Sequence, residues 1–248
     1  MNMSEINDKG IVYLIPTPIG NMGDMTQRAL ECLENSELIA CEDTRVSGRL
    51  LAHFGLKKKL LSYHDFNEMQ RLPRLLEILN AGSNIAVITD AGSPGLSDPA
   101  YRIIRAAIEN DIKISPLPGA NALVPAISGS GLPMDRFFFE GFLPNKSGSR
   151  KNRLKKLIEL EHTLVFYESP HRIEKTLADT LEILGDRRAC IAREISKIYE
   201  EFIRGTISEL IDIAQKRKLK GEMALVVEGA PAKKASKNKS YGKKRDDE

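Results

Sequence analysis

Short apolar runs alternate with amphipathic helical patterns along the first 130 residues, and this alternation restricts the fold more than any other feature. The runs IVYLIPT (11–17), ELIACED (37–43) and NIAVITD (84–90) have the length of buried strands. Each is followed by a Gly/Pro-containing or charged segment and then by a helical pattern. Repeated strand–loop–helix units predict a parallel sheet with right-handed crossovers.

Helix boundaries are predicted from capping residues and glycine. A helix pattern over 25–33 and another over 120–129 belong to the first half of the chain, and a basic helix over 150–161 to the second. The predicted caps and stops are a capping box of Asp24 with Gln27, Asp98 before Pro99, a capping box of Thr206 with Glu209, and Gly185 as a helix end.

The alternation pauses over 130–150, which is interpreted as a hinge, and then resumes with strand patterns at 163–169, 189–195 and 221–229. Two α/β domains are therefore predicted. The expected division is a disordered start (1–10), a first domain (11–132), a second domain (133–229) and a flexible tail (230–248).

Charge is unevenly distributed along the chain. Residues 229–248 contain seven basic and three acidic residues, so the remainder is close to neutral although the whole chain carries +3. A second basic run, NKSGSRKNRLKK (145–156), has no acid. Such runs are usually solvated surface, but they also suit phosphate contacts.

Several protein classes are disfavoured by what the sequence lacks. The three cysteines form no C-x-x-C pair, which argues against a disulfide framework or a zinc site. No apolar run reaches about 18 residues, and the polar start does not resemble a signal peptide. A cytoplasmic protein without a metal or a membrane anchor is expected.

Three Gly/Pro-rich loops leave predicted strands at their carboxyl ends: PTPIGNMGD (16–24), TDAGSPGLSDP (89–99) and LPGANA (117–122). Ligands of open parallel sheets bind beyond this edge. One such loop alone would be read as a turn, whereas three at one edge predict a small-molecule pocket. None of them matches a phosphate-binding P-loop or a dinucleotide fingerprint.

Charged residues also follow strand patterns, in CEDTR (41–45), YESPHR (167–172) and AREISK (192–197). An ion pair at a strand end is the common explanation for any one of them. His64 is the one histidine retained as a candidate, because it lies in the polar and aromatic segment SYHDFNE.

Six segments occur in order from residue 14 to residue 172: LIPTPIGNMGDMTQRALECL, LIACEDTR, TDAGSPGLSDPA, PLPGANAL, RFFFEGFLP and FYESPHR. Together they resemble the tetrapyrrole-methylase superfamily, and within it the enzymes that methylate small-subunit ribosomal RNA. The resemblance extends over about residues 11–229.

The resemblance implies a class III methyltransferase of two α/β domains, the second with a mixed sheet, holding S-adenosyl-L-methionine in the interdomain cleft. It further implies 2′-O-ribose methylation of cytidine 1402 in 16S rRNA within the 30S subunit, by a homodimer. Matched residue by residue, the implied cofactor contacts are Ile19, Gly20, Ala91, Gly92, Ser93, Leu96, Asn121, Ala122, Glu168, Ile195 and Ala224.

Proximity and a positioned base are the two means of methylating a weakly nucleophilic hydroxyl. The candidates for the base or for orienting the hydroxyl are Asp43, His64, Glu168 and Glu194. The candidate phosphate contacts are Arg45, Lys146, Arg150, Lys151, Arg153, Arg172, Arg193 and Lys197. Tyr63 and Phe66 are candidates for base stacking.

Two alternatives stay open at this point. One is a methyltransferase of the same fold that acts on a tetrapyrrole, a protein side chain or another small molecule. The other is a non-catalytic ribosome-assembly factor that retains the fold.

Overall fold

A computed structural model of the chain describes residues 9–96 and 100–231. Its strands form two five-stranded sheets. The first sheet comprises β1 (Ile11–Leu14), β2 (Leu38–Cys41), β3 (Lys59–Ser62), β4 (Ile85–Ile88) and β5 (Lys113–Pro116). The second comprises β6 (Phe137–Phe142), β7 (Thr163–Glu168), β8 (Arg188–Arg193), β9 (Glu201–Thr206) and β10 (Met223–Val227).

Eight α-helices connect or cover these strands within the described residues. They are α1 (Gln27–Glu34), α2 (Thr44–His53), α3 (Glu68–Asn80), α4 (Tyr101–Glu109), α5 (Leu123–Ser130), α6 (Ser147–Lys155), α7 (Ile173–Leu184) and α8 (Ile207–Lys216). A short 3-10 turn, Met22–Asp24, precedes α1.

The first sheet is parallel throughout, in the order β3-β2-β4-β1-β5. Every residue of β2 and β4 is buried, as expected when helices cover both faces of a parallel sheet. The α3 and α4 side packs around Leu75 and Ile103, and the opposite side around Leu33 and Leu51. The predicted parallel α/β sheet is confirmed.

The second sheet is mixed, as the resemblance implies, and its strand order is β6-β7-β10-β8-β9. Only β6 and β7 are parallel, and the other neighbours are antiparallel. Alternate residues of its strands face two separate cores. One core packs against α6, α7 and α8 around Phe166 and Leu225, and the other packs against α5 around Val165 and Val226.

Helix α5 packs on the second sheet, although the predicted boundary at 132 assigns it to the first domain. Its Gly129 allows the close approach, because a Cβ at this position would lie 2.3 Å from the Phe202 ring. Arg204 of β9 donates to the carbonyls of Gly129 and Ser130. Side-chain contacts therefore place α5 with the second sheet.

Some local predictions are corrected by the structure. The segment 137–142, part of the predicted hinge, is strand β6, and its three consecutive phenylalanines suit a strand better than a hinge. Asp24 does not cap α1, because the Thr26 hydroxyl accepts the Ala29 N–H instead.

The capping box of Thr206 with Glu209 is confirmed, and α7 ends at Gly185, which has φ +79°. The predicted cap of Asp98 before Pro99 and the basic tail from 232 lie outside the described residues.

Candidate active site

A cleft of about 450 Å³ lies between the carboxyl edge of the first sheet and the second sheet. The three predicted loops all reach it, through Ile19, through Ala91–Ser93 with Leu96, and through Asn121 with Ala122. The second sheet contributes residues at the end of β7, around the end of β8 and at the start of β10. The volume lies in the range of small-molecule sites.

Hydrogen bonds join the three loops to one another, two between backbone groups and two from side-chain hydroxyls to backbone carbonyls. Thr17 and Gly92 exchange two of them, each 2.9 Å from N to O. The Thr17 hydroxyl donates to the carbonyl of Thr89 over 3.0 Å, and the Ser93 hydroxyl donates to the carbonyl of Ala120 over 3.3 Å. The floor of the cleft is therefore a preorganised backbone surface.

Gly92 is required by this arrangement on two grounds. Its φ of +84° lies in the left-handed region that other residues rarely adopt. The position also faces the cleft, where the nearest atom to an added Cβ is Cγ2 of Ile19 at 3.7 Å. Any side chain here would project toward the space that a ligand needs.

Ten of the eleven predicted cofactor contacts line the cleft, and Gly20 does not. Gly20 instead lies against Lys197, where a Cβ would be 2.5 Å from the lysine Cγ. The cofactor roles of these residues remain predictions, but the cleft suits a nucleoside with a cationic centre. Its walls include apolar side chains such as Leu96 and Met223. The charged residues that line it are five acids and one cation, so the acids are in excess: Glu42, Asp90, Glu168, Glu194 and Glu222, with Lys197.

Glu168 lines the cleft but is committed to local structure. Its carboxylate accepts the Ser169 N–H at 2.8 Å and the Thr176 hydroxyl at 2.6 Å, and it pairs with Arg172 at 3.1 Å. The residue is buried. These contacts hold the β7–α7 turn and leave Glu168 poorly placed to accept a substrate proton.

Glu194 also lines the cleft and forms an ion pair with Lys197 at 3.0 Å. Lys197 bonds Glu222 as well. Ser196, in the same turn, donates to Asp24 of the first domain. The segment 194–197 thus links the two halves of the molecule beside the cleft.

Asp43 and His64 are not among the residues that line the cleft. Asp43 caps α2, and hydrogen bonds from Arg45 hold its pKa at about 2, so it is a weak base. His64 lies in the predicted loop, with its Nε2 3.0 Å from the Asn67 amide nitrogen.

Glu42 and Asp90 line the cleft and were not among the predicted catalytic residues. Burial, followed by the negative charge of Asp90, raises the pKa of Glu42 above its ordinary value. The signal for both was present in the sequence, since each stands just after a buried strand. Strand-end position alone did not separate Glu42 from Asp43 or Glu168.

The predicted phosphate contacts divide by exposure. Arg45 has a side chain that is 87% exposed, and Lys146 is exposed at the end of the β6–α6 loop. Arg150 is only 2% exposed and bonds Asp179 at 2.7 Å, so the RNA contact predicted for it is wrong. The basic candidates other than Lys146 and Arg150 are engaged in ion pairs: Arg45 with Asp43, Lys151 with Glu182, Arg153 with Glu140, Arg172 with Glu168, Arg193 with Glu201, and Lys197 with Glu194.

The two aromatic candidates also differ. Tyr63 is 2% exposed and cannot stack on a base, so that prediction is wrong, whereas Phe66 is 98% exposed. Across residues 9–96 and 100–231, no group of three or more His, Cys, Asp or Glu residues is arranged to hold a metal ion. In the same part of the chain, no helix has the length and apolar character needed to cross a membrane.

Comparison with known proteins places these features in a family. Residues 11–211 match the family described as Tetrapyrrole (Corrin/Porphyrin) Methylases. The chain is 47% identical over 223 residues to Ribosomal RNA small subunit methyltransferase I of Halalkalibacterium halodurans, covering 90% of this chain and 77% of that protein. It is 48% identical over 225 residues to the protein of the same name from Haemophilus influenzae, covering 90% and 80%.

Solved structures show the same fold at low sequence identity. A cobalamin biosynthetic enzyme, cobalt precorrin-4 methyltransferase, superposes with a TM-score of 0.67 at 14% identity, covering 92% of this chain and 98% of that one. Uroporphyrin-III-C-methyltransferase from Thermus thermophilus gives 0.58 at 20% identity, covering 89% and 92%.

Proposed function

The chain belongs to the tetrapyrrole (corrin/porphyrin) methylase family, and we propose that it transfers a methyl group from S-adenosylmethionine to a ribose 2′-hydroxyl of small-subunit ribosomal RNA. The observation that carries this is the identity of 47–48% to two ribosomal RNA small subunit methyltransferases I over 90% of the chain. The precorrin and uroporphyrin enzymes share the fold at 14–20% identity, which supports no common substrate.

The cleft residues suit the cofactor. S-adenosylmethionine supplies a methyl group on a positively charged sulfur, which is already activated for transfer to a nucleophile. Ala91 and Ser93 would hold it with backbone groups, and Ile19 and Leu96 with apolar contact, while Gly92 leaves room for it because it has no side chain. The cleft carboxylates favour a cationic ligand by charge complementarity.

The chain's principal contribution to catalysis is alignment. The bonded loops fix one reactant against the first sheet, and the second sheet closes the other side of the cleft. Holding two reactants in line contributes about 7–11 kcal/mol of barrier lowering in well-oriented systems. A base that accepts the hydroxyl proton adds about 10²–10⁴-fold.

The finer assignment is methylation of cytidine 1402 at its 2′-oxygen, in the cytoplasm, within the 30S subunit and by a homodimer. Recognition of a 2′-hydroxyl requires a nucleotide that is unstacked from its neighbours. Phe66, whose side chain is almost fully exposed beside the β3 end of the first sheet, is available to stack on such a base.

Ribose-methylation mapping of small-subunit RNA from cells that lack the gene tests the proposal. We expect one 2′-O-methyl group to disappear and to return when the gene is restored. An unchanged methylation map, together with methylation of a precorrin by the purified protein, would establish the small-molecule alternative. Retained subunit binding without methyl transfer would establish the non-catalytic factor.

Neutralising Arg45 and Lys146 together is expected to weaken RNA binding and to flatten its salt dependence. Each lost phosphate contact should reduce the slope of log affinity against log salt by about 0.7–0.9. In the double variant Arg45→Gln/Lys146→Gln, the magnitude of this slope should therefore fall by about 1.4–1.8, while cofactor affinity is retained. A salt titration of binding to the small subunit measures this.

The matched control is Lys57→Gln/Lys59→Gln. It also removes two positive charges, but at the start of β3. The amino-terminal ends of the parallel strands lie on the side of the sheet opposite the cleft. Equal flattening by both double variants would contradict a specific role for Arg45 and Lys146.

A further inference from the structure

Glu42 is positioned by two adjacent strands of the first sheet. It follows β2 directly, and Cys41 at the end of β2 pairs with Ile88 at the end of β4. Asp90 stands two residues beyond Ile88, and both carboxylates line the cleft. They therefore lie on the side of the cleft formed by the cofactor loops.

The Glu42 carboxylate is uncommitted. Within the described residues it forms neither a hydrogen bond nor an ion pair, in contrast to the other acids considered for catalysis. Glu168 and Glu194 are bonded to neighbouring side chains, and Asp43 is bonded to Arg45. Asp90 accepts the Asp43 N–H at 3.2 Å, which fixes it beside the start of α2. Glu42 is thus the cleft acid whose carboxylate oxygens are free to accept a proton and open to a substrate in the cleft.

We propose that Glu42 is the catalytic base that accepts the proton of the ribose hydroxyl. This inference rests on the proposed function. The proton passes to a Glu42 carboxylate oxygen, and an electron pair of the hydroxyl oxygen forms the new bond to the methyl carbon. The carbon–sulfur bond breaks with its electron pair left on sulfur, so no further reactant is needed.

The surroundings of Glu42 favour this role. Burial raises its pKa, the charges of Asp90, Asp65 and Asp43 raise it further, and His64 acts in the opposite direction. A carboxylate with a raised pKa has a higher affinity for a proton at neutral pH. Asp90 would act through Glu42, as a positioning residue that increases its basicity.

Glu42→Gln tests the proposal, because it preserves shape and removes the proton acceptor. We expect a loss of about 100-fold or more in single-turnover methylation of the subunit, with cofactor affinity and thermal stability close to those of the parent protein. The parent rate should fall as pH drops through the Glu42 pKa, and this acid limb should be absent in the variant. Glu42→Asp should recover part of the rate.

A matched control and a milder variant make the result specific. Glu37→Gln changes an exposed acid at the opposite end of β2, paired with Lys59, and should leave both rate and pH profile unchanged. Asp65→Asn removes a negative charge near Glu42 from outside the cleft. It should move the acid limb to lower pH, even if Glu42→Gln fails to fold.

A binding readout needs no turnover. Without cofactor, the parent protein should bind subunits whose target nucleotide is a ribonucleotide more tightly than those with a 2′-deoxynucleotide, and Glu42→Ala, which leaves no acceptor for the hydroxyl, should lose that preference. A variant that keeps more than a tenth of the parent rate with its acid limb intact overturns the role of Glu42. Failure of the parent protein itself to methylate the subunit would instead refute the proposed function.

Discussion

Gly92→Trp is expected to abolish S-adenosylmethionine binding. Gly92 lies on the floor of the cleft with φ +84°, and its backbone bonds Thr17 on both sides. An indole at this position would occupy the space between Ile19 and the facing second sheet. The left-handed backbone adds about 1–3 kcal/mol of strain for any residue other than glycine. Isothermal calorimetry on the folded variant should detect no binding at concentrations that saturate the parent protein.

Gly55→Trp is the matched control for this variant. Gly55 also has a positive φ of +72°, but no atom lies within 4 Å of an added Cβ, and the residue is exposed in the turn after α2. It should lose a similar amount of stability and keep its cofactor affinity. Unchanged affinity in Gly92→Trp would show that the cofactor lies elsewhere, whereas loss of binding in both variants would point to unfolding.

The floor of the cleft could be predicted from the sequence because its determinants are local. A buried parallel strand, a loop rich in glycine and proline, and a helix occur in consecutive residues. The carboxyl ends of parallel strands necessarily meet at one edge. The loops at 16–24, 89–99 and 117–122 were therefore expected to converge, and the hydrogen bonds that join Thr17 to Gly92 explain how they do so.

The strand order of the second sheet could not be predicted from local patterns in the same way. Its strands pair mostly antiparallel across long separations, and β10 lies between β7 and β8 although it comes last in the chain. Helix α5 precedes all of these strands, yet it packs against them through Ala126 and Ile127. No local pattern indicates which of two sheets a small-residue helix will cover.

The choice among strand-end acids depends on which nearby side chains fold back to bond each carboxylate. Glu168 is followed by Arg172 and Thr176 on the next helix, and both contact its carboxylate. Asp90, which follows the neighbouring strand β4, lies near Glu42, and among the described residues the Glu42 carboxylate has no hydrogen-bond or ion-pair partner. The sequence shows acids at strand ends, whereas their commitment to ion pairs is a property of the folded chain.

Arg150 is the clearest case of a charged residue whose partners the sequence does not show, because it lies in a basic run and is nevertheless buried. Its guanidinium bonds Asp179 of α7, 29 residues away, and donates to the carbonyls of Pro144 and Asn145. Ser147 also donates to Asp179. The pair joins α6 to α7 and fixes the loop that follows β6, so its role is structural.

Arg150→Met should therefore destabilise the protein by about 3 kcal/mol, because it leaves the buried Asp179 carboxylate with only the longer contact to Lys151, at 3.6 Å. The free energy of unfolding from urea titration measures this loss. Lys155→Met, an exposed change on the same helix, should stay within about 0.5 kcal/mol of the parent. Adding Asp179→Leu to Arg150→Met removes the carboxylate that has lost its main partner and should restore part of the stability, since the two residues are in direct contact. If Arg150→Met kept full stability but lost affinity for the ribosomal subunit, the buried pair would be dispensable and the sequence-based prediction of a phosphate contact would stand.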